Sequence, residues 1–170
     1  SDLPMVTIDG EDARDLDDAV SVERFPEGLL RLGVHIADVS HYVREGKPLD
    51  LDALERGTSV YLPDRVIPML PEALSNGLCS LTARVPRLAF SVMMDVDATG
   101  AVVAHELFES VLLIDERMTY KTVRALLEDE VPELAERYAA VLPMLKDMAE
   151  LAKRRHALRK QRRSEERRGG

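Results

Sequence analysis

Residues 7–20 of this chain read Thr7-Ile8-Asp9-Gly10-Glu11-Asp12-Ala13-Arg14-Asp15-Leu16-Asp17-Asp18-Ala19-Val20. Five aspartates and one glutamate fall within ten consecutive positions of this acidic segment. Like charges this close raise one another's pKa and destabilise a folded chain unless cations neutralise them. The apolar residues at its two ends, among them Val6, Ile8 and Val20, predict that the segment is anchored between strands.

The acidic segment predicts a site for a hard divalent cation, because Mg²⁺ binds a few carboxylates together with phosphate oxygens and water. A solvated acidic loop is the alternative. An EF-hand starting at Asp9 is excluded, since it requires Gly at its sixth position and Glu at its twelfth, where Arg14 and Val20 stand. An aspartyl phosphoryl-transfer site built on Asp15 and Asp17 fits poorly, because no apolar strand comes directly before that pair.

The composition narrows the class of protein. The chain has 170 residues, 45% apolar and 32% charged, which is typical of one globular domain and excludes a wholly disordered chain. The densest apolar run, Val111 to Ile114, is too short to cross a bilayer. The single cysteine, Cys79, excludes an internal disulfide, and Ser1–Pro4 lacks the features of a signal peptide. A cytoplasmic location without a membrane partner is therefore expected.

The net charge of −8 conceals two opposed regions. Residues 151–170 hold nine Lys or Arg and two Glu, a net charge of +7. The other 150 residues hold 14 basic and 29 acidic residues, a net charge of −15. An acidic body of this kind does not bind phosphates over its whole surface. The basic end suits either a solvated helix terminus or a contact with nucleic acid.

The pattern of apolar residues predicts a mixed α/β (α+β) fold, with a mixed sheet flanked by helices. Runs of period two separated by Pro- and Gly-containing turns indicate hairpins. Two hairpins are expected, one from Ala19–Glu23 and Leu29–Asp38, the other from Arg87–Val96 and Ala101–Ile114.

The rest of the chain reads as helix and loop. A short helix is expected over Pro48–Arg56, with Leu51 and Leu54 on its inner side. Three prolines predict that Tyr61–Ser80 is a long irregular loop with its own apolar anchors. From Thr119 onward the apolar spacing becomes helical.

Four segments, in their order and spacing, resemble successive motifs of the ribonuclease II/ribonuclease R family. The acidic segment is the first. The others are Val34-His35-Ile36-Ala37-Asp38-Val39-Ser40-His41-Tyr42-Val43, Arg56-Gly57-Thr58-Ser59-Val60-Tyr61-Leu62-Pro63 and the run from Ile67 to Leu81. The end of the chain, Glu165–Gly170, resembles the ribonuclease R branch in particular. One departure is Thr82-Ala83, where the family often has Asn-Pro after Ser-Leu.

The resemblance implies a function and a domain. Family members are processive, Mg²⁺-dependent, hydrolytic exoribonucleases that degrade single-stranded RNA from its 3′ end and release nucleoside 5′-monophosphates. Residues 1–170 are expected to form the N-terminal part of one RNB-type catalytic domain, an incomplete half with no second domain. Residues up to about 117 should be mainly β-structure and loops, and 118–168 mainly helical.

The resemblance also implies the site residues. The catalytic and metal-binding set is Asp9, Asp15, Asp17 and Asp18, which would hold Mg²⁺ in a two-ion mechanism with Mn²⁺ as a substitute. Asp17 is expected to be the most sensitive to substitution, whereas Asp12 lies in the motif but outside the set. Tyr61 matches the tyrosine that packs against the base at the RNA 3′ end.

The expected partners are a single-stranded RNA 3′ end, the missing C-terminal half of the catalytic domain with its catalytic arginine, and flanking RNA-binding domains. Dividing such a domain should expose the apolar face that meets the missing half. The alternative function is a non-catalytic metal-binding fragment or an interaction module that needs the missing half.

Four further polar or reactive residues are expected to be structural. His35 lies within a predicted strand, and Asp38 and Asn76 lie in segments where they would orient loops. Cys79 lies between Leu78 and Leu81 and is expected to be a small core residue.

Overall fold

Alternating apolar residues build eight β-strands in the part of the chain, residues 3–166, that this computed structural model describes. The Glu165–Gly170 motif lies outside the residues whose side chains are described. The strands are β1 (Val6–Asp9), β2 (Asp18–Arg24), β3 (Leu30–Ala37), β4 (Val60–Tyr61), β5 (Val66–Ile67), β6 (Arg87–Val96), β7 (Val102–Leu112) and β8 (Glu116–Thr119). The α-helices are α1 (Val39–Tyr42), α2 (Pro48–Arg56), α3 (Tyr120–Leu127), α4 (Pro132–Arg137) and α5 (Leu142–Glu166).

Six strands form one mixed sheet, in the order β7-β6-β3-β2-β1-β8. All neighbours are antiparallel except β1 and β8, which run parallel with Thr7 opposite Arg117 and Asp9 opposite Thr119. The prediction of a mixed sheet flanked by helices is therefore confirmed. Both expected hairpins, β2–β3 and β6–β7, are present.

The two faces of the sheet carry separate cores. On one face, α3, α4 and α5 cover the apolar side chains of β1, β2 and β3. The buried members of this helix-side core are Val6, Val22, Leu30, Val96, Met118, Leu126, Tyr138, Val141, Met144, Leu145 and Leu151. The loop-side core on the other face gathers Met5, Leu16, Ala19, Ala37, Leu74, Cys79, Leu81, Ala89, Leu112 and Ile114. Cys79 is thus a buried core residue, as predicted.

Helix α5 is held against two hairpin turns by its arginines. Arg154 donates from Nη1 to the carbonyl of Gly28 at 2.6 Å and to that of Asp97 at 3.3 Å. Arg155 donates to the carbonyl of Gly100 at 2.8 Å. Two cations of the basic end therefore bind this protein's own backbone. No helix among the described residues combines the length and apolar content needed to span a membrane.

Some local expectations are wrong. Leu51 and Leu54 of α2 are 55% and 76% exposed, because the apolar spacing of a helix tells which residues share a face and not whether a partner covers that face. The segment Tyr61–Ser80 is more regular than its prolines suggest, with the β4–β5 hairpin and a π-helix over Ala73–Leu78. Strand β8 was not expected, since four residues give too short an alternation to recognise.

The helix-side face continues beyond the helices as an apolar surface. Ile36 lies opposite Phe90, and Val92 lies opposite Leu107, on neighbouring strands of this face. Ile36, Phe90 and Leu107 are 45%, 43% and 53% exposed. These residues form an exposed apolar surface on one face of the sheet, and the expectation of an incomplete domain stays a prediction.

A buried line of polar side chains crosses the opposite face. His35 contacts Ser21 Oγ through Nε2 at 3.0 Å and Ser91 Oγ through Nδ1 at 2.7 Å, and Ser91 contacts Ser110 Oγ at 2.6 Å. Burial lowers the pKa of His35 below its ordinary 6.5. The structure therefore agrees with a structural role for this histidine.

The pH dependence of the unfolding free energy should reflect the lowered pKa of His35. Because its pKa is lower in the folded chain than the 6.5 of an exposed histidine, the unfolded chain binds the proton first as the pH falls. The unfolding free energy should therefore decrease below pH 6.5, and His35→Gln should show a smaller decrease. Urea denaturation across this range measures both. Equal slopes in the two proteins would contradict the assignment.

Gly100 should be intolerant of a side chain. Its φ is +86°, and an added Cβ would lie 2.7 Å from the Arg154 carbonyl oxygen. Gly100→Ala should lower the unfolding free energy by about 2 kcal/mol or more, through backbone strain and displacement of α5. Gly46→Ala is the matched control, since φ is +70° there and nothing lies within 4 Å of the added Cβ. Equal losses in chemical denaturation would show that α5 does not constrain this turn.

Candidate active site

The acidic loop, residues 10–17, joins two antiparallel neighbours at one end of the sheet. Asp9 is the last residue of β1 and Asp18 the first of β2, so the two carboxylates lie at the same strand ends. Asp9 and Asp15 are half-buried, whereas Asp17 and Asp18 are exposed. The short alternation of Val6 and Ile8 into the helix-side core therefore determines where the first aspartate stands.

Arg117 of β8 binds the first half of the acidic loop. Its Nη2 atom donates to the carbonyl oxygens of Glu11 at 2.9 Å and Ala13 at 2.8 Å, with a longer contact of 3.4 Å to Gly10. Parallel pairing of β1 with β8 brings Arg117 beside Thr7 and hence next to the loop. A segment more than 100 residues away thus holds the loop backbone.

Ser80 binds the second half of the loop. Its hydroxyl donates to the carbonyl of Arg14 at 2.8 Å and accepts from the amide of Leu16 at 3.2 Å. The Leu81 amide donates to the Leu16 carbonyl at 2.8 Å, and the Ala37 amide donates to the Asp17 carbonyl at 2.9 Å. Leu16 itself is buried in the loop-side core. The acidic loop is therefore ordered by contacts along its length.

The four predicted aspartates interact electrostatically. Burial raises the pKa of Asp9, and Asp18, Asp15 and Asp17 raise it further, whereas Arg117 lowers it. Partial loss of hydration likewise raises the pKa of the Asp17 carboxylate, although the residue as a whole is exposed, and repulsion from Asp15 and Asp18 raises it further. The fold thus brings all four carboxylates into one negative field, and the charged forms of Asp9 and Asp17 are destabilised there.

Two buried polar atoms beside the loop lack a hydrogen-bond partner among the described residues. They are Asp9 Oδ2 and Thr7 Oγ1, which alternate onto the same side of β1. A buried polar atom without a partner is costly and usually indicates a ligand, ion or water. Asp9 Oδ2 is therefore the atom of this site that most requires an external partner.

The donor chemistry of the site fits a hard divalent cation, since carboxylate oxygens are the ligands Mg²⁺ prefers. Within residues 3–166, however, no group of three or more His, Cys, Asp or Glu side chains surrounds a common metal position. The structure thus brings the four aspartates near one another without forming a complete ligand set. Their assignment as metal ligands stays a prediction.

The remaining predicted residues lie on other elements. Tyr61 is on the β4–β5 hairpin and is 69% exposed, so its ring is available to a ligand. Asp38 caps α1 by accepting from the His41 amide at 3.1 Å, which supports its expected local role. Asn76 lies exposed in the π-helix.

Two cavities differ in their relation to the site. The larger, of about 810 Å³, lies away from the aspartates, between the sheet and the start of α5. A second, of about 580 Å³, adjoins the acidic loop and is lined by Ala13, Arg14, Leu16, Glu72, Ala73, Asn76, Gly77, Ser80, Thr82 and Arg117. The second cavity borders the candidate site, because Ser80 and Arg117, which hold the acidic loop, are part of its lining.

Arg117 and Ser80 are the site residues that the sequence analysis did not predict. Ser80 stands within one of the recognised motifs, yet nothing in its neighbourhood indicates which backbone it binds. Arg117 is one of 23 Lys and Arg residues, and only its placement on β8 distinguishes it. Arg117 could have been predicted as a site residue only if the pairing of β8 with β1 had been known.

Comparison with known proteins identifies the family. The RNB domain model matches residues 1–168. Ribonuclease R 1 of Lactococcus lactis is 51% identical over 156 residues, which cover 92% of this chain and 19% of that protein. The chain thus spans about a fifth of the length of this relative.

Solved structures of similar fold support the same family. Mycoplasma genitalium RNase R in complex with double-stranded RNA matches with a TM-score of 0.86 and 34% identity, over 95% of this chain and 28% of that one. Yeast Ssd1, a pseudonuclease, matches with a TM-score of 0.68 and 22% identity, over 82% of this chain and 17% of that one, and so shows the fold alone. With the family model covering almost every residue, the chain belongs to the RNB domain family.

Proposed function

We propose that this chain is the N-terminal part of the catalytic domain of a hydrolytic 3′–5′ exoribonuclease, which processively degrades single-stranded RNA to nucleoside 5′-monophosphates with Mg²⁺. The observation that carries this proposal is the set of four mutually repelling aspartates on a loop whose backbone is held by Arg117 and Ser80. Carboxylates that a fold holds together despite their repulsion are typical of a functional site.

The proposed ligands of the cation are Asp9, Asp15, Asp17 and Asp18, and Mn²⁺ could replace Mg²⁺. Bound Mg²⁺ supplies charge stabilisation at the phosphoryl oxygens and an activated water. The chain's own contribution is to hold the carboxylates at one end of the sheet, through β1, β2 and the acidic loop. The exposed ring of Tyr61 offers a stacking face for the terminal base, which suits an enzyme indifferent to sequence.

The proposed partners follow from the size of the chain and the names of its relatives. The chain matches about a fifth of Ribonuclease R 1, so the rest of the catalytic domain and flanking RNA-binding domains are proposed to complete the site. The exposed apolar residues Ile36, Phe90 and Leu107 support a missing packing partner. A matched structure contains RNA, which supports an RNA substrate, and a buried free cysteine is compatible with the proposed cytoplasmic location.

The second candidate is a non-catalytic module that binds a cation or a partner segment. It is favoured by the incomplete ligand set and by the shared fold of the pseudonuclease Ssd1. The two candidates differ in one respect: only the first requires Asp17 to be charged for RNA hydrolysis.

Mg²⁺ should stabilise the chain through the aspartates. A ligand that binds the folded state alone adds about 2.7 kcal/mol at 100 times its dissociation constant. Asp17→Asn should raise the unfolding free energy of the metal-free chain, by no more than about 1 kcal/mol because Asp17 is exposed and solvent screens the repulsion. The same variant should gain less from Mg²⁺. Thermal melts with and without millimolar Mg²⁺ give all three values.

Asp12→Asn is the matched control, since it removes a charge from the same loop outside the proposed ligand set. It should keep the stabilisation by Mg²⁺. A wild-type melting curve that Mg²⁺ does not move would contradict the metal site, and equal losses in the two variants would contradict the assignment of Asp17.

RNA hydrolysis is tested by a chimera. The chain alone should release little or no nucleoside 5′-monophosphate from 3′-extended single-stranded RNA. A cationic donor to the phosphoryl group is typically worth a factor of about 10² to 10³, and the catalytic arginine is proposed to come from the rest of the domain. Ribonuclease R 1 of Lactococcus lactis carrying this chain in place of its matching 156 residues should degrade the RNA. Asp17→Asn should abolish degradation by the chimera.

Asp12→Asn in the chimera should be much milder. A folded chimera without activity would favour the non-catalytic candidate. Activity of the isolated chain that Asp17→Asn removes would show that the part missing here is dispensable.

A further inference from the structure

Arg117 makes a contact with the acidic loop that its charge alone does not explain. Its guanidinium donates to the peptide carbonyls of Glu11 and Ala13 at 2.9 and 2.8 Å. Both acceptors belong to the loop backbone and neither is a side-chain carboxylate. A cation recruited only to balance charge pairs with a carboxylate. Contact with successive carbonyls instead fixes the path of the backbone.

Lys121 provides the contrast within the same region. Its Nζ lies 3.6 Å from the Glu11 carboxylate, and the two side chains are 84% and 64% exposed. An exposed pair of this kind contributes little and holds no backbone. The acidic loop therefore has one neighbouring cation bound to its backbone, Arg117, and another bound to a side chain, Lys121.

The position of Arg117 ties the loop to the sheet. Arg117 lies opposite Thr7 in the parallel β1–β8 pair, and Met118 beside it is buried in the helix-side core. The guanidinium thus starts from a fixed strand and reaches the loop that follows Asp9. Its charge also opposes the repulsion that raises the pKa of Asp9.

We propose that Arg117 is a positioning residue of the acidic site: by binding the carbonyls of Gly10, Glu11 and Ala13, it sets the loop backbone from which the aspartates are presented to a divalent cation. The part of this inference that concerns the cation rests on the proposed function. A planar guanidinium can reach several carbonyls, whereas the ammonium of lysine is a compact point charge on a flexible stem. Arg117→Lys should therefore keep the charge and lose much of the positioning.

The first experiment needs no metal. Hydrogen exchange is measured on the metal-free chain for wild type, Arg117→Ala, Arg117→Lys and Lys121→Ala. Arg117→Ala should speed exchange at the Ala13 amide by about tenfold or more, because this amide donates to the Gly10 carbonyl in the half of the loop that Arg117 holds. The Leu16 amide, which donates to Ser80, should change less. Arg117→Lys should fall between it and wild type, and Lys121→Ala should leave these amides unchanged.

Unchanged exchange in a folded Arg117→Ala chain would overturn the proposal. Where Arg117→Ala does not fold, the lysine variant decides: wild-type protection in Arg117→Lys would show that charge suffices and would overturn the proposal equally. Circular dichroism establishes folding in each case.

The second experiment measures the dissociation constant of Mg²⁺ by calorimetry. Removing a cation should tighten Mg²⁺ binding if charge is all that matters, and Lys121→Ala is expected to bind as wild type or tighter. Arg117→Ala should bind Mg²⁺ about fivefold or more weakly, because binding must then also order the loosened loop, and this entropic cost lowers the affinity. The dissociation constant of Mg²⁺ is thus expected to rise in Arg117→Ala and to stay the same or fall in Lys121→Ala.

Tighter Mg²⁺ binding by Arg117→Ala would overturn the positioning role. If wild type itself binds no Mg²⁺, the proposed function fails at its metal, and the exchange comparison alone decides whether Arg117 sets the loop. The two failures are therefore distinguishable.

Discussion

Repulsion between carboxylates is the constraint to which the rest of this structure is adapted. Burial raises the pKa of Asp9 and Asp17 at one end of the sheet, and the neighbouring charges of Asp15 and Asp18 raise both further. A loop with this composition would leave the sheet for water if its backbone were free. The surrounding fold supplies what holds it, with Arg117 on one half and Ser80 on the other.

The topology of the sheet follows the same requirement. Strand β8 returns more than 100 residues after β1 to pair with it in parallel, and this pairing delivers Arg117 to the loop. The segment around Ser80 and Leu81 is anchored in the loop-side core beneath the loop. The helices contribute on the opposite face, where α5 is fastened to two turns by Arg154 and Arg155. Strand β8 and the Ser80 segment thus stabilise the acidic end of the sheet, whereas the arginines of α5 fasten the opposite end.

The cost of the site and its use are two aspects of one arrangement. An orphaned buried oxygen on Asp9 and four repelling carboxylates destabilise the chain in the absence of a cation. Under the proposed function, the same features would favour binding of a cation to the folded state. The apolar surface around Ile36, Phe90 and Leu107 is a second unmet requirement, for a packing partner. The chain belongs to the RNB family and spans about a fifth of one relative's length, and the proposed function would meet both requirements.

The sequence by itself determined the local features and the family. The period of two in β2, β3, β6 and β7, the turns between them and the crowding of aspartates all depend on neighbours in the chain, so they can be recognised without a fold. Burial of His35 and Cys79 followed from their apolar surroundings. The tertiary structure alone decided which distant groups meet. Arg117 binds the acidic loop because β8 pairs with β1, and a strand of four residues is too short to predict from its sequence. Leu51 and Leu54 face solvent because no element within residues 3–166 covers them. Contacts between segments far apart in sequence depend on the summed packing of both cores, and no short pattern records that sum.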